Sequence, residues 1–174
     1  MNTYSKFIMD FTNNIYKARD KKYFSNIIIF CVGTDKITGD SLGPLVGYKL
    51  KKRFEYYKQI QVIGDLDNII CAKNAIANME KLKRNQKFSC IIVIDAALSE
   101  KDNVGNILVN THKIQLGAGL YKNAGCVGDV GIKGIVAKND NMLNDNYNNL
   151  KNTRLQVVMN MADIISDGIY HVLK

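Results

Sequence analysis

Six aspartates carry most of the chemistry this sequence offers. The chain holds 13 Asp and only 3 Glu in 174 residues, and Asp35, Asp40, Asp65, Asp67, Asp95 and Asp129 stand beside apolar runs that read as strands. Asp35 and Asp40 follow the first run, Asp65 and Asp67 the second, Asp95 the third, and Asp129 precedes the last. One Asp in such a place closes a turn or caps a helix. Two held within a few ångströms cannot both ionise easily, so one keeps its proton. The charged partner then suits a general base acting on water, and the protonated one can polarise a peptide carbonyl.

Other reactive residue types offer less. The segment from Gly33 to Ser41 is a Gly-bearing loop between a strand and a helix, where phosphates commonly sit. Five residues separate its two glycines, however, and Asp40 stands where a P-loop requires lysine. A helix start that already presents a carboxylate stabilises that anion rather than a bound phosphate. Thr34, Thr38 and Ser41 have no base nearby in sequence and read as turn and capping hydroxyls. Cys31, Cys71, Cys90 and Cys126 show no CxxC spacing and read as buried or idle thiols rather than a disulfide or zinc set.

These residues need a frame to position them. Tyr4, Phe7, Ile8, Phe11 and Ile15 fall on one helical stripe, which predicts a helix over 3–20. The β-branched run 26–32 has the pattern of a strand buried on both faces of a parallel sheet. A helix over 41–57 follows, its first turn accommodating Pro44. A short strand over 60–63 leads to a third helix marked by Ala72, Ala75, Ile76, Met79 and Leu82, and 88–94 is another buried strand, closed by Asp95. The spacing to the next apolar run, 107–109, is too short for a packed crossover helix, so that strand should run antiparallel at or near an edge. After a Gly-rich loop over 117–131 come a strand over 132–137, an Asn-rich loop over 139–149 and a long terminal helix carrying Leu150, Arg154, Leu155, Val158, Ala162, Ile165 and Ile169. Strands alternating with helices predict a single α/β domain over 1–174, three layers with a mostly parallel sheet, whose ligands bind beyond the carboxyl ends of its strands.

Composition narrows the function classes. With 47% hydrophobic and 23% charged residues, the chain is long enough for one core. No apolar run approaches the roughly 20 residues that cross a bilayer, and the first 20 residues lack the order of a secretion signal, so a cytoplasmic location without membrane contact is expected. The formal charge of +8 rests on 24 basic residues, of which 20 are Lys, while Lys, Asn and Ile together make up 61 of 174. That is the composition an AT-rich genome writes. The basic clusters at 49–53 and 81–87 lie on predicted helix faces without Arg forks or interleaved aromatics, which speaks against nucleic acid as a partner.

The loop Gly33-Thr34-Asp35-Lys36-Ile37-Thr38-Gly39-Asp40-Ser41-Leu42-Gly43-Pro44 resembles the YyaC-type sporulation proteins, relatives of the spore germination protease. The similarity continues through Gly64-Asp65-Leu66-Asp67-Asn68, Val93-Ile94-Asp95-Ala96, Gly117-Ala118-Gly119, Val127-Gly128-Asp129-Val130, Gly134-Ile135-Val136 and Asn152-Thr153-Arg154-Leu155, and covers residues 26–165. In the protease, the segments matching Thr38 to Pro44 and Ile94 to Ala96 carry two aspartates, so the resemblance implies Asp40 and Asp95 as the catalytic pair. The same fold serves hydrogenase-maturation endopeptidases, which use acids at these positions plus a histidine to hold a metal. The resemblance therefore implies a five-stranded sheet of order 2-1-3-5-4 with strand 4 antiparallel, which brings strands one and three together about 4.8 Å apart.

The expected activity is aspartate-dependent hydrolysis of a protein or peptide substrate in sporulation or germination, in the cytoplasm of the developing spore or mother cell. Small spore proteins are the substrate class the protease relatives suggest, and a homo-oligomer is compatible with all of this. Asp40 is expected as the base and Asp95 as its partner. Gly117, Ala118 and Gly119 are expected to offer backbone N–H groups to the substrate. No cofactor is firmly implied. A divalent cation is the mechanistic rival, with Asp35, Asp40, Asp95 and His112 as its candidate ligands. The rival function is a catalytically silent or metal-holding module that binds a partner in sporulation.

Overall fold

The computed structural model describes residues 2–85, 88–111, 114–115, 126–140 and 142–174. Its sheet is built from the apolar runs. β1 (Asn26–Cys31), β2 (Ile60–Ile63), β3 (Ser89–Ser99), β4 (Ile107–Asn110) and β5 (Val130–Lys138) assemble in the order β2-β1-β3-β5-β4. All neighbours are parallel except the β4–β5 pair, which is antiparallel at the edge. A separate two-residue pair joins Ile114–Gln115 to Cys126–Val127.

The period-two alternation of these strands sorts side chains onto two faces. Ile29, Cys31, Cys90, Ile92, Ile94, Val130 and Ile132 point to one core, where α1 (Thr3–Lys21), α2 (Leu42–Arg53) and α5 (Leu155–Leu173) contribute Phe7, Phe11, Val46, Leu50, Val158 and Ile165. Ile28, Phe30, Ile91 and Val93 point to the other core, which α3 (Ala72–Asn85) closes with Ala75 and Met79. Each fully buried side chain of this size contributes about 2 kcal/mol. The three layers and the strand order are those expected. Among the described residues no helix is long and apolar enough to cross a membrane.

Three elements depart from the sequence pattern. β3 does not close at Asp95 but continues to Ser99, because β5 pairs with it as far as Lys138. α2 stops at Arg53, where Phe54 packs edge-on against Tyr57 and tilts against Tyr170. The Asn-rich stretch contains a helix, α4 (Leu143–Lys151), which ends before α5 begins. The asparagines there tether rather than loosen the chain. Asn146 Oδ1 accepts the Asp140 N–H at 2.6 Å, its Nδ2 donates to Asn139 at 2.8 Å, and Asn149 Nδ2 donates to Asp140 at 2.7 Å. Leu150 anchors the helix in the core.

The basic cluster of α2 is largely spent on acids within the fold. Lys49 pairs with Asp163 at 2.8 Å, Lys51 with Asp65 and Arg53 with Asp167, each of the latter two at 2.5 Å.

Candidate functional site at the carboxyl end of β1

Two glycines fix how the chain leaves β1. The Val32 N–H still donates to Ile94 O at 2.8 Å, as a continuing parallel ladder would. Gly33 then turns away with φ 146°, donating its N–H to Ile70 O at 2.8 Å, and a Cβ there would lie 2.0 Å from Asp40 O. Only glycine fits that place. The loop closes on itself through Thr34 N–H to Asp40 O and Asp40 N–H to Ile37 O, both 3.0 Å. A short 3₁₀ turn over Thr38–Ser41 feeds α2, with Ser41 Oγ donating to Thr38 O at 2.6 Å. Gly43 lets the first turn of α2 press on the strand end, since a Cβ there would lie 2.0 Å from Val32 O. Asp40 is thereby held over the carboxyl end of β1.

Asp95 arrives from the neighbouring strand. β1 and β3 stay in register through Cys31 and Ile94, so Asp95 is the first residue of β3 past the last paired residue of β1. It is 3% exposed. The two acids are near enough for the charge of one to act on the other. Asp40 has its pKa raised from 3.8 to about 7, first by burial and then by the negative charge of Asp95, against a smaller opposing pull from the Thr34 N–H. A carboxyl with its pKa raised to about 7 still holds part of its proton near neutrality and can serve as a proton donor.

The other acids do not join them. Asp35 is exposed. Asp65 is buried, which by itself would raise its pKa, yet Lys51 at 2.5 Å and the N–H groups of Asn68 (2.7 Å) and Asp67 (2.9 Å) hold it below its ordinary value. It is a structural anion that fastens α2 to the loop after β2. Asp129 lies on the opposite rim, at the amino end of β5. Its carboxylate accepts from Lys22 Nζ at 2.7 Å and from the Ile91 N–H at 2.8 Å, and its own N–H donates to Ile91 O. His112, Gly117, Ala118 and Gly119 lie outside the described residues.

Among the described residues no three His, Cys, Asp or Glu side chains gather as a metal-binding group. Asp35 therefore does not complete a triad with Asp40 and Asp95. The described residues supply two of the four candidate ligands at this place, Asp40 and Asp95, and His112 lies outside them. Cys31 and Cys90 are buried, and burial raises both thiols, Cys90 to about 12. Neither is a nucleophile at neutral pH.

Sequence reasoning missed one influence on the site and one neighbour of it. The Thr34 N–H tempers Asp40, and Lys133 of β5 stands directly opposite Asp95 in the ladder, its side chain on the same face. Strand register is the signal that would have revealed Lys133.

Comparison with known proteins agrees with this architecture. The chain is 39% identical over 147 residues to the uncharacterized protein YyaC of Bacillus subtilis (strain 168), covering 82% of this chain and 67% of that one. Its fold is similar to the crystal structure of a [NiFe] hydrogenase maturation protease, HycI from Thermococcus kodakarensis KOD1. The TM-score is 0.58 at 15% identity, covering 86% of this chain and 92% of the other. Residues 1–168 match the family described as "Protein of unknown function (DUF1256)", and the chain belongs to that family.

Proposed function

We propose that this protein is a peptidase that hydrolyses a protein substrate with the Asp40 and Asp95 pair, in the cytoplasm of a spore-forming cell during sporulation or germination. Small spore proteins are the first substrates to test. The observation that carries the reading is the raised pKa of Asp40, caused by burial and by the charge of Asp95 at the carboxyl end of the sheet. Support comes also from the Thr38 to Pro44 and Ile94 to Ala96 segments, which resemble the germination protease, and from a fold that houses a maturation protease elsewhere.

The roles follow from which acid keeps the proton. At neutral pH the Asp95 carboxylate accepts a proton from water as its oxygen adds to the scissile carbonyl carbon. Asp40 donates its proton to the carbonyl oxygen, giving a neutral tetrahedral intermediate. On collapse, Asp95 returns its proton to the leaving nitrogen, the C–N bond breaks, and Asp40 recovers a proton from the intermediate's hydroxyl. Asp40 is thus the acid in the first step, the reverse of the order that sequence reading favours.

Digestion of purified small spore proteins, followed by mass spectrometry, tests this. Wild type is expected to release discrete fragments, and Asp40→Asn and Asp95→Asn are each expected to lose at least 100-fold in rate. Activity that survives both substitutions would remove the pair from the chemistry.

A further inference from the structure

Among the described residues, the backbone of β3 just past Asp95 has one edge that no strand pairs. In a strand, the N–H and C=O of one residue point the same way, and successive residues alternate between the two neighbours. The Ile94 carbonyl faces β1, since it accepts from Val32. Ala96 and Leu98 therefore face the lane in which β1 would continue, while Ala97 and Ser99 face β5, as the bond from the Asn139 N–H to Ser99 O confirms. A continuing ladder would join the Ala96 N–H to Val32 O and the Thr34 N–H to Ala96 O. Neither bond forms. β1 pairs no further than Cys31, Gly33 donates to Ile70 instead, and Thr34 donates to Asp40. Among the described residues nothing hydrogen-bonds the lane side of Ala96 or Leu98. Residues 96–99 are also partly exposed, unlike the fully buried stretch before them.

We infer that a substrate polypeptide docks here as an added strand, in the lane vacated by β1, pairing with Ala96 and Leu98 and running past Asp40 and Asp95. The occupant is an extended peptide because the edge offers N–H and C=O pairs about 6.6 Å apart, the two-residue repeat of a β-strand. Strand addition supplies affinity through main-chain bonds and tolerates varied side chains. It also delivers a peptide carbonyl, in a defined orientation, to the acids at the base of the lane. The inference deepens the peptidase reading and rests on it.

Amide exchange by NMR on the full-length ¹⁵N-labelled protein tests it. In the free protein the Ala96 and Leu98 amides are expected to exchange at least 100-fold faster than those of Ile94 and Ala97. Adding a small spore protein to the Asp40→Asn variant is expected to slow Ala96 and Leu98 at least tenfold and to leave Ala97 unchanged. Protection of Ala96 and Leu98 in the free protein, or binding that leaves them unprotected, would overturn the docking mode. A second variant separates the two readings. Leu98→Pro deletes a lane-facing N–H without breaking a β5 bond, and should raise KM at least tenfold with little change in kcat. If it cleaves with unchanged KM, strand addition is wrong and the peptidase stands. If wild type neither binds nor cleaves these proteins, both readings fall.

Discussion

Removing the candidate acid Asp40 should make the protein more stable, and more so as the pH rises. In the unfolded chain this carboxyl titrates near 3.8, and in the fold it titrates near 7, first because it is buried and second because Asp95 is charged. Below 3.8 both states hold the proton, so there is no penalty. Between the two values the unfolded state ionises while the folded one does not, and stability falls with each step in pH. Above 7 the penalty is complete. At 1.36 kcal/mol for each tenfold, the folded state then bears about 4 kcal/mol, against about 1 kcal/mol at pH 4.5. Asp40→Asn keeps the shape and removes the titration. Urea unfolding of wild type and variant at pH 4.5 and pH 8.5 should therefore show the variant's advantage growing by about 3 kcal/mol between the two conditions. An advantage that stays within about 1 kcal/mol across that range, or a variant that is less stable at pH 8.5, would refute the reasoning.

Asp65 should behave in the opposite sense. Its pKa is held below the ordinary value by Lys51 and two backbone N–H groups, so its stabilisation is present above pH 3.8 and fades as the folded carboxylate is protonated. Asp65→Asn should cost about 2 kcal/mol at pH 7 in chemical unfolding, with the gap closing on acidification. Dialysis against EDTA should leave cleavage of small spore proteins intact, because the proposed mechanism draws on the two carboxyls alone. A loss restored by adding a divalent cation would place a metal, and a ligand beyond those residues, at the centre of the chemistry.

The frame was legible where burial dictates residue type. The run over β1 could be read because a strand buried on both faces must be apolar at every position, and the antiparallel β4 because so short a link leaves no room for a crossover helix. α4 was hidden because Asn is a weak helix former, and what holds this helix is a set of side-chain tethers around Asn146 and Asn149 that composition does not display. Asp129 reads like the other loop acids, yet register places it at the amino end of β5, bound to Lys22 and Ile91. Asp65 likewise needed its partner Lys51, 14 positions away on a helix, before it could be told from a catalytic acid. Asp40 and Asp95 could be singled out together through motif resemblance, whereas the raised pKa of Asp40 depends first on burial, a property of the folded chain.

The pairing of Asp40 with Asp95 is tested most directly by titrating the side-chain carboxyl ¹³C of Asp40 by NMR, in wild type and in Asp95→Asn. The wild-type midpoint should lie near 7 and should fall when the charge of Asp95 is removed, while staying above 3.8 because burial remains. A wild-type midpoint near 4, or one that Asp95→Asn does not move, would contradict a coupled pair.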